Sequence, residues 1–142
     1  MEPAFLGLVV DSSVVINAER KHQTVEDLLI SIRQRFGEVE IVISAITVAE
    51  LVHGVERAST PEIRQRRRAF IDELKKHVPV QPVTDESGEL AETISGSQAG
   101  KGIKVQVDDL LIGVAALEQG YAVATLNRRH FEKIPDLIVV SF

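Results

Sequence analysis

Short apolar runs alternate with helix-patterned segments along this chain of 142 residues, and that alternation restricts its fold more than any other feature. Leu6-Gly7-Leu8-Val9-Val10 is apolar on both faces and ends in Asp11-Ser12-Ser13, which reads as a buried strand running into a helix start. A helix over about Val14–Glu19 follows, then one over Thr24–Phe36, where Val25, Leu28, Leu29 and Ile32 share a face and Gly37 stops it. Ile41–Ile43 is the next strand, and Ser44 caps the helix that carries Glu50. Ser59-Thr60-Pro61-Glu62 has capping-box spacing with Pro in the first turn, and starts a helix that reaches about His77. Val78–Val83 holds two prolines and reads as an edge strand; Asp85–Ala99 is weakly helical, with Gly88 and Gly96 inside it. A helix over Asp109–Gln119 stops at Gly120, and strands follow at Ala122–Thr125 and Leu137–Val140, with a short turn holding Asn127 between them. Strands apolar on both faces and separated by helices predict an α/β fold with a parallel sheet of about five strands. No repeat, linker or low-complexity stretch divides the chain, so residues 1–142 are expected to form one domain.

Composition narrows the chemistry. Cysteine is absent, which removes disulfides, thiol nucleophiles and thiolate zinc sites together. No apolar run approaches the ~18 residues of a spanning helix, and no basic segment leads into a signal-like core, so a cytoplasmic location is expected. The net charge of −5 does not suit a protein that grips nucleic acid over its whole surface. A polyanionic substrate would need local positive patches or a bound metal.

Three acids stand at informative places. Asp11 closes the first strand, where sites form in parallel sheets, although Asp there also serves as an Asx turn or helix cap. Ser12 and Ser13 invite the same capping reading, or could orient a metal-bound water. Glu50 falls almost opposite the face made by Val48, Leu51, Val52 and Val55, so periodicity alone makes it a solvated surface residue. Asp109 opens a helix apolar nearly all round, hence buried, and gains from the helix N-terminus whatever its function; Asp108 beside it could cap while Asp109 binds. Gathered together, the three would form an oxygen-rich site for a hard divalent cation.

Positive charge is local. Arg64, Arg66, Arg67 and Arg68 form the densest basic run, read as a solvated helix face or as a contact for RNA, a second subunit or an acidic partner segment. Lys101, Lys104, Arg128 and Arg129 flank the acids in sequence and are the better candidates for phosphate contacts. Aromatic residues make up only 4%, so base stacking is not the main basis of any RNA recognition.

Taken in order, these segments resemble the PIN-domain nucleases, and within them the VapC-type toxins of toxin–antitoxin pairs. The resemblance is carried by Val9-Val10-Asp11-Ser12-Ser13-Val14-Val15-Ile16, by Ile46-Thr47-Val48-Ala49-Glu50-Leu51 with Gly54, and by Asp109-Leu110-Leu111-Ile112-Gly113-Val114-Ala115. It runs on through Gly120, Thr125-Leu126-Asn127 and Phe131-Glu132-Lys133-Ile134-Pro135. Each motif alone is weak; their order and spacing are specific. The resemblance implies a three-layer α/β/α fold and a metal-dependent endoribonuclease whose catalytic acids are Asp11, Glu50 and Asp109. Asp109 is taken rather than Asp108 because it directly precedes the apolar helix opening. Asp11 and Asp109 are expected to hold Mg2+, with Mn2+ able to replace it, while Glu50 acts through water. Ser12, Lys104, Asn127 and Arg128 are expected to meet the RNA, and products are expected to carry a 5′-phosphate. A homodimer and a cognate antitoxin are implied as well. One departure is plain: where the family often has a fourth acid, His130 precedes Phe131, which leaves one metal as the safer expectation and a surface or phosphate-contacting role for His130.

Other classes fit less well. A haloacid-dehalogenase-type phosphatase needs a second Asp two residues after the first, and Ser13 stands there. A phospho-receiver domain needs a Lys late in the chain, and Thr125-Leu126-Asn127 offers none. No Gly-rich nucleotide loop is present. The remaining alternative is a catalytically weak or inactive PIN-like module that binds RNA or protein without cutting.

Overall fold

A computed structural model describes residues 5–142. Five strands, β1 (Gly7–Val10), β2 (Glu40–Ser44), β3 (Val80–Gln81), β4 (Ala122–Thr125) and β5 (Val139–Ser141), form one sheet in the order β3-β2-β1-β4-β5. Every pairing is parallel. Among the described residues seven helices accompany them: α1 (Ser12–Arg20), α2 (Val25–Phe36), α3 (Ala45–Glu56), α4 (Pro61–His77), α5 (Asp85–Ala99), α6 (Val107–Gln119) and α7 (Arg128–Phe131).

The period-two geometry of β1 divides the interior. Leu8 and Val10 point into a core with Val15 of α1, Leu28 and Ile32 of α2 and Leu74 of α4. Val9 points the other way, among Ile112 and Ala116 of α6 and Ala91 of α5. The central strand is therefore covered on both faces, as its unbroken apolar run requires. Chain order reverses beside β1, whose neighbours are β2 and β4, and this is the switch point at which parallel sheets place their sites.

Local chemistry sets most boundaries. Thr24 caps α2 in a capping box with Asp27, and Ser44 accepts the Ile46 N–H at 3.1 Å. At α4 the cap is Thr60, bonded to the Ile63 N–H with Pro61 in the first turn, so the box suggested by Ser59 and Glu62 does not form. α5 is a full helix despite Gly88 and Gly96, because a second capping box, Thr84 with Ser87, secures its start. β3 is an edge strand, as its prolines predict, and is only two residues long. The last strand begins two residues later than the apolar run suggests, after Asp136 turns the chain with φ 65°. Gly120 ends α6 at φ 70°, a left-handed turn that suits glycine.

Gly113 bears on the site directly. A Cβ there would lie 2.5 Å from Ile134 Cδ1, so a larger residue would have to push that side chain aside where α6 meets the segment after α7. That approach brings His130 of α7 to the first turn of α6.

Candidate active site

Asp11 follows β1 as the backbone N-cap of α1, but its side chain makes no cap bond. Its carboxylate instead turns inward and is buried, 4% exposed. Oδ2 accepts hydrogen bonds from Ser13 Oγ at 2.7 Å and from Thr125 Oγ1 at 2.8 Å. The capping reading is thus replaced by a link between the carboxyl ends of β1 and β4.

Glu50 overturns the periodicity argument. It is half-buried, and Ser12 Oγ donates to its Oε1 at 3.2 Å while standing 3.5 Å from Asp11 Oδ1. The helix face opposite Val48, Leu51 and Val55 meets the mouth of a cleft, because α3 packs against both α1 and α6. Burial pushes the Glu50 carboxyl up to about 7, and the charge of Asp11 adds to the effect. The Ser12 hydrogen bond opposes the rise, and Asp108 and Asp109 reinforce it. Glu50 therefore stands in the field of three other acids.

α6 begins at Val107, two residues before the expected start, so Asp108 and Asp109 both lie in its first turn. Neither is the N-cap; that place belongs to Gln106, which makes no cap bond. Burial raises the Asp109 carboxyl, and His130 opposes the rise from close range, its Nδ1 3.4 Å from Asp109 Oδ2. Asp11 and Asp108 push it further up, and Lys133 pulls it down. His130 is a surface residue, but it faces the acid that its position was expected to supplement.

One open cleft is lined by Asp11, Ser12, Glu50, Asp108, Asp109, Asn127 and His130. The three predicted acids are brought together, with Ser12 and Asn127 beside them. Lys104 and Arg128 do not line it. Arg128 is held within the fold, donating to Glu132 Oε1 at 2.6 Å and to the Val139 carbonyl at 2.7 Å. The neighbouring Arg129 is exposed, as are Lys101, Lys104 and Lys133.

The arginine run on α4 is neither a free basic stripe nor idle. Arg64 grips Glu56 at 2.8 Å, Arg66 pairs at 2.9 Å with the buried Glu19, and Arg68 pairs with Asp72 at 3.0 Å. Arg67 donates to the Gly54 carbonyl at 2.8 Å. Three of these four contacts tie α4 to α1 and α3, so the run fastens the helices that carry Ser12 and Glu50.

The donor set suits a hard divalent cation. Four carboxylates share the cleft, burial and then their mutual repulsion raise Glu50 and Asp109, and His130 and Lys133 oppose the rise at Asp109. Among the described residues no three His, Asp or Glu side chains stand arranged as a ready-made metal site. A hard divalent cation that keeps several of its waters needs only one or two direct carboxylates, which the cleft can supply. Ser13 and Thr125 belong to the site through their bonds to Asp11; Thr125 lies in a segment that carries the family resemblance, but its place at a strand end, level with Asp11, is what signals its role.

Comparison with known proteins bears on the family. The PIN domain family matches residues 8–137. Ribonuclease VapC of Rickettsia bellii is 29% identical over 136 residues, covering 96% of each chain. The tRNA(fMet)-specific endonuclease VapC of Salmonella typhimurium is 32% identical over 108 residues, covering 75% of this chain and 80% of that one. Among solved structures, VapBC2 from Rickettsia felis bound to a DNA fragment superposes with a TM-score of 0.79 at 20% identity, covering 95% of this chain and 98% of that one.

Proposed function

The chain belongs to the PIN-domain family, and from that premise we propose that it is the endoribonuclease toxin of a VapBC-type toxin–antitoxin pair, cutting RNA phosphodiester bonds at the cleft of Asp11, Glu50 and Asp109. The observation that carries the reading is the gathering of Asp11, Glu50, Asp108 and Asp109 around one open cleft, where burial and the neighbouring acids push the Glu50 carboxyl up. An acid cluster of that kind is costly unless a cation neutralises it.

In this reading Asp11 and Asp109 would hold the ion, Mg2+ with Mn2+ as a substitute. When bound, a divalent ion lowers the pKa of its water and screens phosphate charge during in-line attack. Glu50 orients the attacking water, and Ser12 fixes the Glu50 carboxylate through its 3.2 Å hydrogen bond. Asn127, just after β4, lines the same cleft and meets the substrate there. Water rather than the RNA 2′-hydroxyl is the nucleophile, so the products carry a 5′-phosphate.

Phosphates flanking the cut are met by exposed cations on the α6–α7 side, Lys104 first. Arg128 serves there only by releasing Glu132 and the Val139 carbonyl, which makes the exposed Arg129 the readier contact. We extend the same reading to a single nuclease domain that acts in the cytoplasm as a homodimer and is restrained by its antitoxin. Among the described residues no helix is long and apolar enough to cross a membrane.

The test is cleavage of tRNA, rRNA and mRNA by the purified protein with Mg2+ or Mn2+, repeated with chelator. Asp109→Asn is expected to lower the metal-dependent rate by more than the ~10–100-fold typical of changes outside the ligand set. An unchanged rate in that variant would falsify the assignment. No cleavage of any of the three RNAs by the wild type would favour the non-cutting binding module. A short upstream reading frame encoding a DNA-binding fold with a disordered tail is the expected genetic context.

A further inference from the structure

The hydroxyl groups around Asp11 permit a complete proton count. Ser13 Oγ has one proton, which it donates to Asp11 Oδ2 at 2.7 Å, and it accepts the Leu126 N–H at 3.1 Å. Thr125 Oγ1 likewise donates to Oδ2 at 2.8 Å and accepts the Asn127 N–H at 2.9 Å. The 3.4 Å approach between the two hydroxyls needs no proton of its own. Both lone-pair sites of Oδ2 are thus used. Ser12 stands closer to Glu50 Oε1 (3.2 Å) than to Asp11 Oδ1 (3.5 Å), so Oδ1 keeps its electron pairs for another partner.

We propose that Ser13 and Thr125 are positioning residues that clamp Oδ2 of Asp11 and so assign Oδ1 alone to a divalent cation. This rests on the metal-site reading above and adds to it which oxygen binds and what holds it in place. The clamp joins four segments: the end of β1, the first turn of α1, the end of β4 and the loop leading to α7. Thr125 is fully buried, so its hydroxyl cannot exchange its partners for solvent. The backbone half of the clamp, Leu126 N–H and Asn127 N–H, carries the same order into the wall bearing Asn127 and His130. Asp11 therefore meets the ion with one oxygen from a fixed rotamer. Nothing is spent on ordering it at the moment of binding.

The test is Mn2+ affinity, followed by electron paramagnetic resonance titration of the full chain in wild type, Ser13→Ala, Thr125→Val and Thr125→Ser. Ser13→Ala and Thr125→Val are expected to weaken Mn2+ binding by about tenfold or more, the size of effect usual for groups that orient a ligand. Thr125→Ser restores the hydroxyl and is expected to bind nearly as the wild type does. Wild-type affinity in both Ser13→Ala and Thr125→Val overturns the clamp while leaving the metal site standing. Equal losses in Thr125→Ser and Thr125→Val overturn it too, since methyl packing rather than the hydroxyl would then be responsible. A wild-type protein that binds no Mn2+ overturns the metal reading and the clamp with it. Ser13→Ala, at a half-buried position, decides the matter alone if circular dichroism shows Thr125→Val unfolded.

Discussion

Glu50→Gln is expected to stabilise the metal-free protein above neutral pH, because the substitution removes a charge from the acid cluster and keeps an oxygen to accept the Ser12 hydrogen bond. In the folded chain the Glu50 carboxyl sits at about 7 against an ordinary value of 4.5. The folded state thus binds more protons than the unfolded state between those two values, and stability falls as pH rises through that window. Below about 4.5 the penalty is absent; above about 7 it is complete. At ~1.4 kcal/mol per pH unit, a gap of about 2.5 units (7 − 4.5) would correspond to about 3 kcal/mol. Glu50 is only half-buried, so solvent screening reduces this to roughly 1–2 kcal/mol. For a chain of this length that is a rise in Tm of about 3–6 °C. The assay is thermal denaturation in chelator from pH 4 to pH 9, in wild type and variant. The two curves should meet near pH 4, with the wild type falling away by pH 8. Adding Mg2+ at pH 8 should raise the wild type more than the variant. Parallel curves, or a variant less stable at pH 8, would refute the claim that this carboxylate sits in an unneutralised acid field.

Three further outcomes follow from particular contacts. Arg66→Ala leaves the buried Glu19 carboxylate without its 2.9 Å partner and should cost about 1–3 kcal/mol in urea denaturation, a discounted form of the usual loss because Arg66 is partly exposed. Gly7→Ala would set a Cβ 2.5 Å from the Tyr121 ring, so overpacking of about 1–3 kcal/mol should appear as a lower urea midpoint. Lys104→Gln should weaken RNA binding and lower the slope of log affinity against log salt by about one, whereas an unaltered slope would remove Lys104 from the phosphate path.

The sheet and its helices are largely legible in the sequence, because their signals are local. Leu8, Val9 and Val10 are apolar in succession, and such a run is stable only with both faces covered. Thr24, Ser44 and Gly120 act within three or four residues of themselves, and each does what its type predicts. The difference lies where two strong local candidates compete, as Thr60 does with Ser59, whereas α5 takes the span its weak helical pattern predicts, its capping box outweighing the glycines.

The candidate site was legible only in part, and Glu50 shows why. A helical wheel reports which side of α3 is apolar, but not whether the polar side faces solvent or a second wall of acids. The same limit applies to Arg64 and Arg66: their run is the exposed helix face the sequence suggests, but only the fold shows it bonded to Glu56 and Glu19.

By itself, then, the sequence determined the parallel α/β architecture, the burial of α6 and the order in which Asp11, Glu50 and Asp109 appear, all properties of neighbouring residues and their period. Tertiary structure alone decided that Glu50 shares Ser12 with Asp11, that Thr125 and Ser13 saturate one oxygen of Asp11, and that His130 reaches Asp109. The physical reason is separation along the chain. Thr125 lies 114 positions from Asp11, and a hydrogen bond between them exists only because β1 and β4 pair in one register.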